Sequence, residues 1–377
     1  LTGSALIVGL GLNGLGVARS LKAAGIRAHA LDDNLASIYA ATNACTKSPA
    51  ALAGEGLIAA LAAYRSTTDH DPVLFLTRED GVATVAANRG RIGGYRIAMP
   101  EPAVVTALVN KDRFLAIAHA ADILIPRTVT LQSRDDVACL GELTPPFIVK
   151  PTAHIAAYQA RYRKAYIFGS IAEAEQTVRG MIDVAGEVVG QDYVPGGDGS
   201  VFFCLGYFGE GGTMLAGYTG YKTASWPPRV GGTGGCAPAP GAHAELAEAT
   251  ERFFKTAGFR GMGSLEFKRH AETGRFYMIE PTACRTDYQS ELATLNGVNL
   301  PAVQFAEQMR QPLPQARPTA RRGWRDSTAV ASGAKVPRSG DGWRAVDAVW
   351  RADDLGPGLR MVRRRVSGRI GKLLGRR

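Results

Sequence analysis

The chain has 377 residues, 46% of them hydrophobic and 21% charged, which suits two or three globular domains and excludes a small binding module or a disordered or collagen-like chain. Its formal net charge of +10 is unevenly placed: residues 313–377 carry 16 Lys or Arg against 5 Asp or Glu, whereas residues 1–312 carry 28 against 29. A neutral body with a basic tail lacks the electrostatic footprint of a nucleic-acid-binding fold, and only the tail asks for an acidic partner.

Ala5 to Gly9 reads as a first strand. It is short, lacks a basic flank and runs into a Gly-rich turn, unlike a secretory signal, and no later apolar run reaches the 18 or so residues of a membrane span, so a cytoplasmic protein is expected. Gly14 to Ala24 follows as a helix closed by Gly25, Arg27 to Leu31 as a second strand ending at Asp32, and Val73 to Leu76 as a third. This alternation predicts a parallel sheet of the βαβ kind over residues 1–100. Within it, Gly9-Leu10-Gly11-Leu12-Asn13-Gly14 has the spacing of a dinucleotide-binding turn, with Asp32 placed for a ribose. Taken alone the turn suggests NAD(P) and an oxidoreductase; the competing expectation is a tight turn used for substrate or interdomain packing, in which Gly11→Val impairs folding or ligation.

Two prolines between Met99 and Pro102 mark a boundary, and Val104 to Ala121 reads as one helical stretch. From Arg127 to Gln191 the pattern is strand, helix, strand, loop, strand, helix, strand, with a capping box at Ser170-Ile171-Ala172-Glu173. Residues 200–221 predict two antiparallel strands, Ala242 to Ala257 an amphipathic helix, and Met262 to Lys268 and Phe276 to Glu280 two strands joined by a Thr273-Gly274 turn. Gly231 to Gly235, after Arg229, is expected to be a loop rather than a strand, and residues 313–377 an appended basic extension. The cysteines, Cys45, Cys139, Cys204, Cys236 and Cys284, lack the pairing and spacing of a disulfide framework or a zinc site.

Lys111 lies in Asn110-Lys111-Asp112-Arg113-Phe114, and Lys150 ends a β-branched strand just before Pro151, where a lysine reaches into a cleft more readily than onto a solvated face. Val188 to Asp198 is an apolar strand that breaks into a Gly-rich turn with a following acid. Glu266 and Glu280 sit on consecutive predicted strands, which can bring both carboxylates onto one face, where they call for a cation such as Mg2+. The ordered set over residues 1–310 resembles the ATP-grasp superfamily, in particular its carboxylate-amine ligases, with D-aspartate ligase and related amino-acid ligases as relatives.

The resemblance implies a Rossmann-like N-terminal domain (1–100), a two-subdomain α+β ATP-grasp domain (101–312), ATP and Mg2+ as cofactors, and a small-molecule carboxylate and amine as substrates, amino acids among them. It implies that Lys111 and Lys150 contact phosphates, the backbone of Asp192 and Val194 holds the adenine edge, Asp198 takes the ribose hydroxyls, and Glu266 and Glu280 bind Mg2+. The chain departs from the family in two places. Thr282 stands where an Asn ligand is usual, and Arg285, one position late, is assigned to a transferred phosphate or carboxylate. The loop after Lys150, where the family often has a Gly-rich lid, instead runs from Thr152 to Tyr158 and on to Arg161, Arg163 and Lys164. Asp287, Tyr288, Gln289 and Glu291 are candidates for the acceptor site.

At the C-terminus, Leu359, Val362, Val366, Ile370 and Leu373 recur at helical spacing among eight basic residues from Arg360 onward with no acid. This predicts a basic amphipathic helix that associates peripherally with an anionic membrane surface.

Overall fold

Strands β1 (Ser4–Val8), β2 (Arg27–Asp32), β3 (Thr46–Pro49) and β4 (Val73–Leu76) form a parallel sheet in the order β3-β2-β1-β4, with helix α1 (Leu12–Ala23) between β1 and β2, α2 (Gly54–Arg65) between β3 and β4, and α3 (Glu79–Ala87) after β4. The computed structural model describes residues 1–152, 156–228 and 231–373. β1 and β4 are buried along almost their whole length, as central parallel strands covered on both faces must be. The polar edge strand β3, Thr46-Lys47-Ser48-Pro49, has no apolar alternation to predict it and is held by backbone pairing to β2.

The stretch expected as one helix is two, α4 (Pro102–Val109) and α5 (Lys111–Ala120). Asn110 breaks it: its backbone is extended and its side chain accepts from the Arg113 N–H at 3.0 Å, capping α5. Lys111 thereby becomes the first residue of a helix.

A second, antiparallel sheet runs β5 (Thr128–Leu131), β8, β6 (Phe147–Pro151) and β7 (Tyr166–Phe168) in space, where β8 is Val188–Asp192; the short α6 (Ala156–Gln159) and α7 (Ile171–Ala185) lie between its strands in sequence. The predicted capping box starts α7: Ser170 accepts from the Glu173 N–H, and Glu173 reaches back to the Gly169 N–H at 2.8 Å.

The largest sheet contains β9 (Val201–Phe208), β10 (Met214–Trp226), β11 (Gly232–Pro238), β12 (Gly261–Arg269) and β13 (Phe276–Ala283), with helix α8 (His243–Thr256) packed on it. Phe254 of α8 stacks between Phe208 and Phe259 with ring centroids 4.4 and 4.5 Å away, each such buried ring contributing about 1.5–3 kcal/mol. The same core reaches through Phe114 and Leu108 to Leu6 and Val8 of the first sheet.

Two expectations are corrected here. Gly231 to Gly235 is not a loop: residues 232–238 form β11, inside the large sheet between β10 and β14 (Arg322–Arg325). Glycine is needed because a side chain on Gly235 would run into Val336 and Thr223, so close packing overrides weak strand propensity. Arg229, which precedes this segment, lies outside the described residues. Residues 313–377 are likewise not merely appended. After α9 (Ser290–Leu295) and α10 (Leu300–Gln308), β14 and, beyond α11 (Ser327–Ala331), β15 (Ser339–Gly340) and β16 (Trp343–Asp347) extend the large sheet to eight strands, in the order β13-β12-β9-β10-β11-β14-β16-β15. Trp324 is fully buried and donates to Glu291, which also accepts from Arg351, so the boundary at 312 cuts across one sheet. The final element, α12 (Gly356–Leu373), lies against residues 35–41 of the first sheet's loops.

Candidate active site

β12 and β13 are antiparallel neighbours, and their register sets Glu266 directly opposite Glu280 and Ser264 opposite Thr282. Residues two apart on a strand share a face, so both carboxylates and the Thr282 hydroxyl project together. Two adjacent carboxylates repel unless cations compensate them, and here the cations are lysines from four separate elements.

Lys222 of β10 is buried and places its Nζ 2.6 Å from Glu266 Oε2. Loss of solvent pulls the Lys222 ammonium down, but Glu266, with Glu280 and Asp287 beyond it, holds its pKa above the ordinary value. Glu280 has protein packed densely around it, yet its side chain is exposed to solvent. Burial pushes its carboxyl up, while Lys150 of β6, Lys164 before β7, Lys222 and Lys111 together hold it well below the usual carboxylate range. Lys111 shows the opposite strain: burial, then the neighbouring Lys150, lower its pKa to about 6 against the attraction of Glu280. Its Nζ lies 5.9 Å from the Phe114 ring centroid. The small antiparallel sheet and α5 thus supply three of the lysines, the large sheet supplies both carboxylates and Lys222, and the surplus of lysines suits an anion of higher charge.

Lys222 was missed in the sequence, where the strand was read as ending at Tyr221. Its signal is a lone lysine at alternate spacing within Tyr218 to Trp226, otherwise aromatic, small or hydroxylated, as expected where an inward strand position carries a charge.

The segment after β8 passes along the same face. Asp192 donates its N–H to Arg127 O at 2.9 Å and accepts from the Thr144 N–H with its side chain, while Val194 is buried. Asp198 accepts from the Ser225 N–H at 2.7 Å, which ties this turn to β10. Lys268 Nζ sits 4.9 Å from the Tyr193 ring centroid, and burial lowers its pKa against the pull of Asp198 and Glu266.

Thr282 and Arg285 are already engaged. Thr282 Oγ1 donates to Asp287 Oδ2 at 2.9 Å, and Arg285 bonds Asp287 at 2.6 Å and Glu79 at 2.8 Å. These acids raise the Arg285 pKa although burial opposes them. Glu79 opens α3, so Arg285 fastens the end of the carboxylate strand to the N-terminal sheet. Of the four candidate acceptor residues, Glu291 is buried in an ion network with Arg351 and Arg19, and Tyr288 is exposed. Residues 153–155 of the loop after Lys150 lie outside the described residues.

The N-terminal Gly turn is occupied by its own chain. Asp32 is buried and accepts from the Leu10 and Asn34 N–H groups instead of facing a ribose. Asn13 donates to Thr77 O and Thr286 O and accepts from the Thr286 hydroxyl, so the start of α1 is covered by the segment that follows Arg285. Gly14 is the tight position, because a Cβ there would clash with Gly9 O. Gly11, expected to be sensitive, has open space around it.

No family model matches the chain, and no curated protein matches its sequence. Solved structures do match. An ADP complex of N5-carboxyaminoimidazole ribonucleotide synthetase is 13% identical, with a TM-score of 0.66 over 84% of this chain and 80% of the other. An ATP-analogue complex of biotin carboxylase from Campylobacter jejuni is 15% identical, with a TM-score of 0.64 over 83% and 72%. An L-amino acid ligase from Bacillus licheniformis is 15% identical, with a TM-score of 0.62 over 84% and 78%. A biotin carboxylase domain of the Hydrogenobacter thermophilus 2-oxoglutarate carboxylase, crystallised with MgADP and bicarbonate, has a TM-score of 0.65 at 12% identity, over 85% and 73%. With a parallel leading sheet, a small antiparallel sheet that carries Lys150 and a large sheet that carries the paired carboxylates and Lys222, this chain has the ATP-grasp fold.

Proposed function

We propose that the chain is an ATP- and Mg2+-dependent carboxylate-amine ligase that forms an amide or peptide-like bond through an acyl phosphate. The observation that carries this reading is the pairing of Glu266 with Glu280 beneath lysines from four elements. Two hard carboxylate oxygens, with the Thr282 hydroxyl on the same face, suit Mg2+, which takes few protein ligands and completes its shell with phosphates and water. Bound there, Mg2+ would draw negative charge off the γ-phosphate.

Lys111 and Lys150 hold the phosphates, and Lys222 exchanges part of its hold on Glu266 for phosphate as the site fills. The adenine edge lies along Asp192 and Val194. The Asp192 N–H is taken by Arg127, so the donor role falls to Val194. Asp198 receives the ribose hydroxyls, and Arg285 faces the transferred phosphate or the substrate carboxylate while its salt bridges fix its position. A carboxylate oxygen attacks the γ-phosphorus as the bond to the β-phosphate oxygen breaks, releasing ADP. The amine then attacks the acyl carbon, phosphate leaves with the electron pair, and the nitrogen loses a proton. The chain supplies positioning and charge rather than a covalent nucleophile. Residues 1–100 are the leading domain, and amino acids are the first substrates to try.

Pairs of small carboxylates and amines are screened for coupled release of ADP and phosphate; a pair that needs both partners and Mg2+ supports the reading. The competing oxidoreductase reading is separated by calorimetry, which is expected to give saturable binding of MgATP and none of NAD(H). Saturable NAD(H) binding without MgATP binding overturns the proposal.

A further inference from the structure

The C-terminal helix α12 is docked by one side only. Met361 is buried, Arg360 donates to the carbonyl oxygens of Leu35 and Ser37 at 2.8 Å, and Arg364 donates to that of Ala36 at 2.8 Å. At 100° per residue, Arg360, Arg364 and Met361 mark a single face. Leu355, whose carbonyl oxygen accepts from the Leu359 N–H in the first turn, falls with Leu359, Val362 and Val366 in a stripe about 60° wide on the opposite side. These four side chains are 44–53% exposed, and Trp350, just before the helix, is 42% exposed. Exposed Arg363 and Arg365 flank the stripe, and the sequence from Arg360 onward carries eight basic residues and no acid.

We propose that α12 is an interfacial anchor that lays its Leu355-Leu359-Val362-Val366 stripe into the surface of an anionic lipid bilayer while Arg360 and Arg364 keep it fixed to the catalytic body. An apolar stripe flanked by arginines matches acyl chains beneath acidic headgroups. A nucleic acid would match the charge but leave the stripe in water, and a second copy of the helix would bring like charges together. No helix among the described residues is long and apolar enough to cross a membrane, so attachment is peripheral. Docking through residues 35–38 holds the N-terminal sheet beside the bilayer, which sets how the ligase body is oriented there.

The test is sedimentation of the full chain with neutral phosphatidylcholine vesicles and with vesicles containing phosphatidylglycerol. Binding is expected only with the anionic lipid and is expected to weaken steeply with salt. The combined variant Leu359→Ser, Val362→Ser and Val366→Ser is expected to lower the partition coefficient by about tenfold or more. Arg363→Gln and Arg365→Gln are each expected to lower it about fivefold. Thermal melts of the variants that match the parent establish that the body is folded. Equal sedimentation with both vesicle types, unchanged partitioning of the apolar triple variant, or binding that duplex DNA or RNA competes away while the stripe variant binds as the parent does, overturns the proposal.

Discussion

Two sets of carboxylates, one at the end of a strand and one in the middle of a strand pair, are treated in opposite ways in this chain. Asp32, at the end of β2, is buried and bonded by the backbone N–H groups of Asn34 from its own turn and of Leu10 from the Gly turn after β1. Glu266 and Glu280 are compensated by ammonium groups on flexible stems, brought from α5, β6, β10 and the loop before β7. Backbone donors fixed in the turns that follow β1 and β2 cannot be withdrawn without undoing the fold, so Asp32 is structural. On the function proposed above, the lysine side chains swing to a phosphate while a metal replaces them, which makes the Glu266 and Glu280 pair the exchangeable one. The contrast separates a nucleotide fingerprint that is spent on folding from a charged cleft that is not.

The largest expected effect is at the exchangeable pair. Glu280→Gln should lower kcat/KM for ADP formation by at least roughly a hundredfold, equivalent to about 3 kcal/mol of transition-state stabilisation, and leave the thermal midpoint near that of the parent. Steady-state assays at varied Mg2+ beside a melt check this, and parental turnover by a folded Gln variant breaks the comparison. The lysines come next. Lys111→Met and Lys150→Met each remove a charged hydrogen bond to phosphate worth about 1.5–3 kcal/mol, and calorimetry should show MgATP binding weakened by roughly 10- to 100-fold.

In the N-terminal turn the effect should fall on stability instead. Gly14→Ala forces a Cβ against Gly9 O and is expected to cost about 1–3 kcal/mol, whereas Gly11→Val, with open space around it, should stay within about 0.5 kcal/mol. Asp32→Ala strands two backbone donors and should also cost about 1–3 kcal/mol. Denaturant melts rank the three, and MgATP affinity of the folded fraction is expected to be unchanged in each. A weakened nucleotide affinity in folded Asp32→Ala places the turn in the site after all.

The smallest effect is a proton. Lys111, with a pKa of about 6, is largely neutral at pH 8, and a polyphosphate beside it favours the ammonium form. MgATP binding at pH 8 should therefore take up a proton, less than one per site, and its heat should vary with the ionisation enthalpy of the buffer. Below pH 6 the ammonium is already present and the uptake vanishes. The same shift makes the free protein gain stability as pH rises from about 6 towards 10.5, because the unfolded lysine binds the proton more tightly than the folded one. Buffer-independent heats that match those of Lys111→Met contradict the assignment.

Local and short-range information in the sequence determined much of this protein. The paired carboxylates were legible because strand alternation and the turn at Thr273-Gly274 leave few ways to arrange β12 and β13, and Lys150 was legible as the lysine near the end of a β-branched strand; Lys111, which opens a helix, was singled out by the family resemblance. The βαβ rhythm of residues 1–100 was legible for the same reason, apart from the polar edge strand β3. Decisions that depend on what lies across a sheet or in another domain belonged to the tertiary structure alone. Lys222 enters the site only because β10 runs two strands from β12. Gly232 to Gly235 forms a strand because it pairs with β10 and, at Gly235, with β14, while Val336 and Thr223 leave no room for a side chain on Gly235. Residues 322–347 join the large sheet although their composition reads as a basic tail, since pairing to β11 and burial of Trp324 outweigh charge. The Gly turn likewise had the spacing of a cofactor site, and only the arrival of Thr286, 273 residues away, assigned its hydrogen bonds to packing. Spacing along a chain constrains what a segment can become; which partner fills it is a long-range contact that no local pattern encodes.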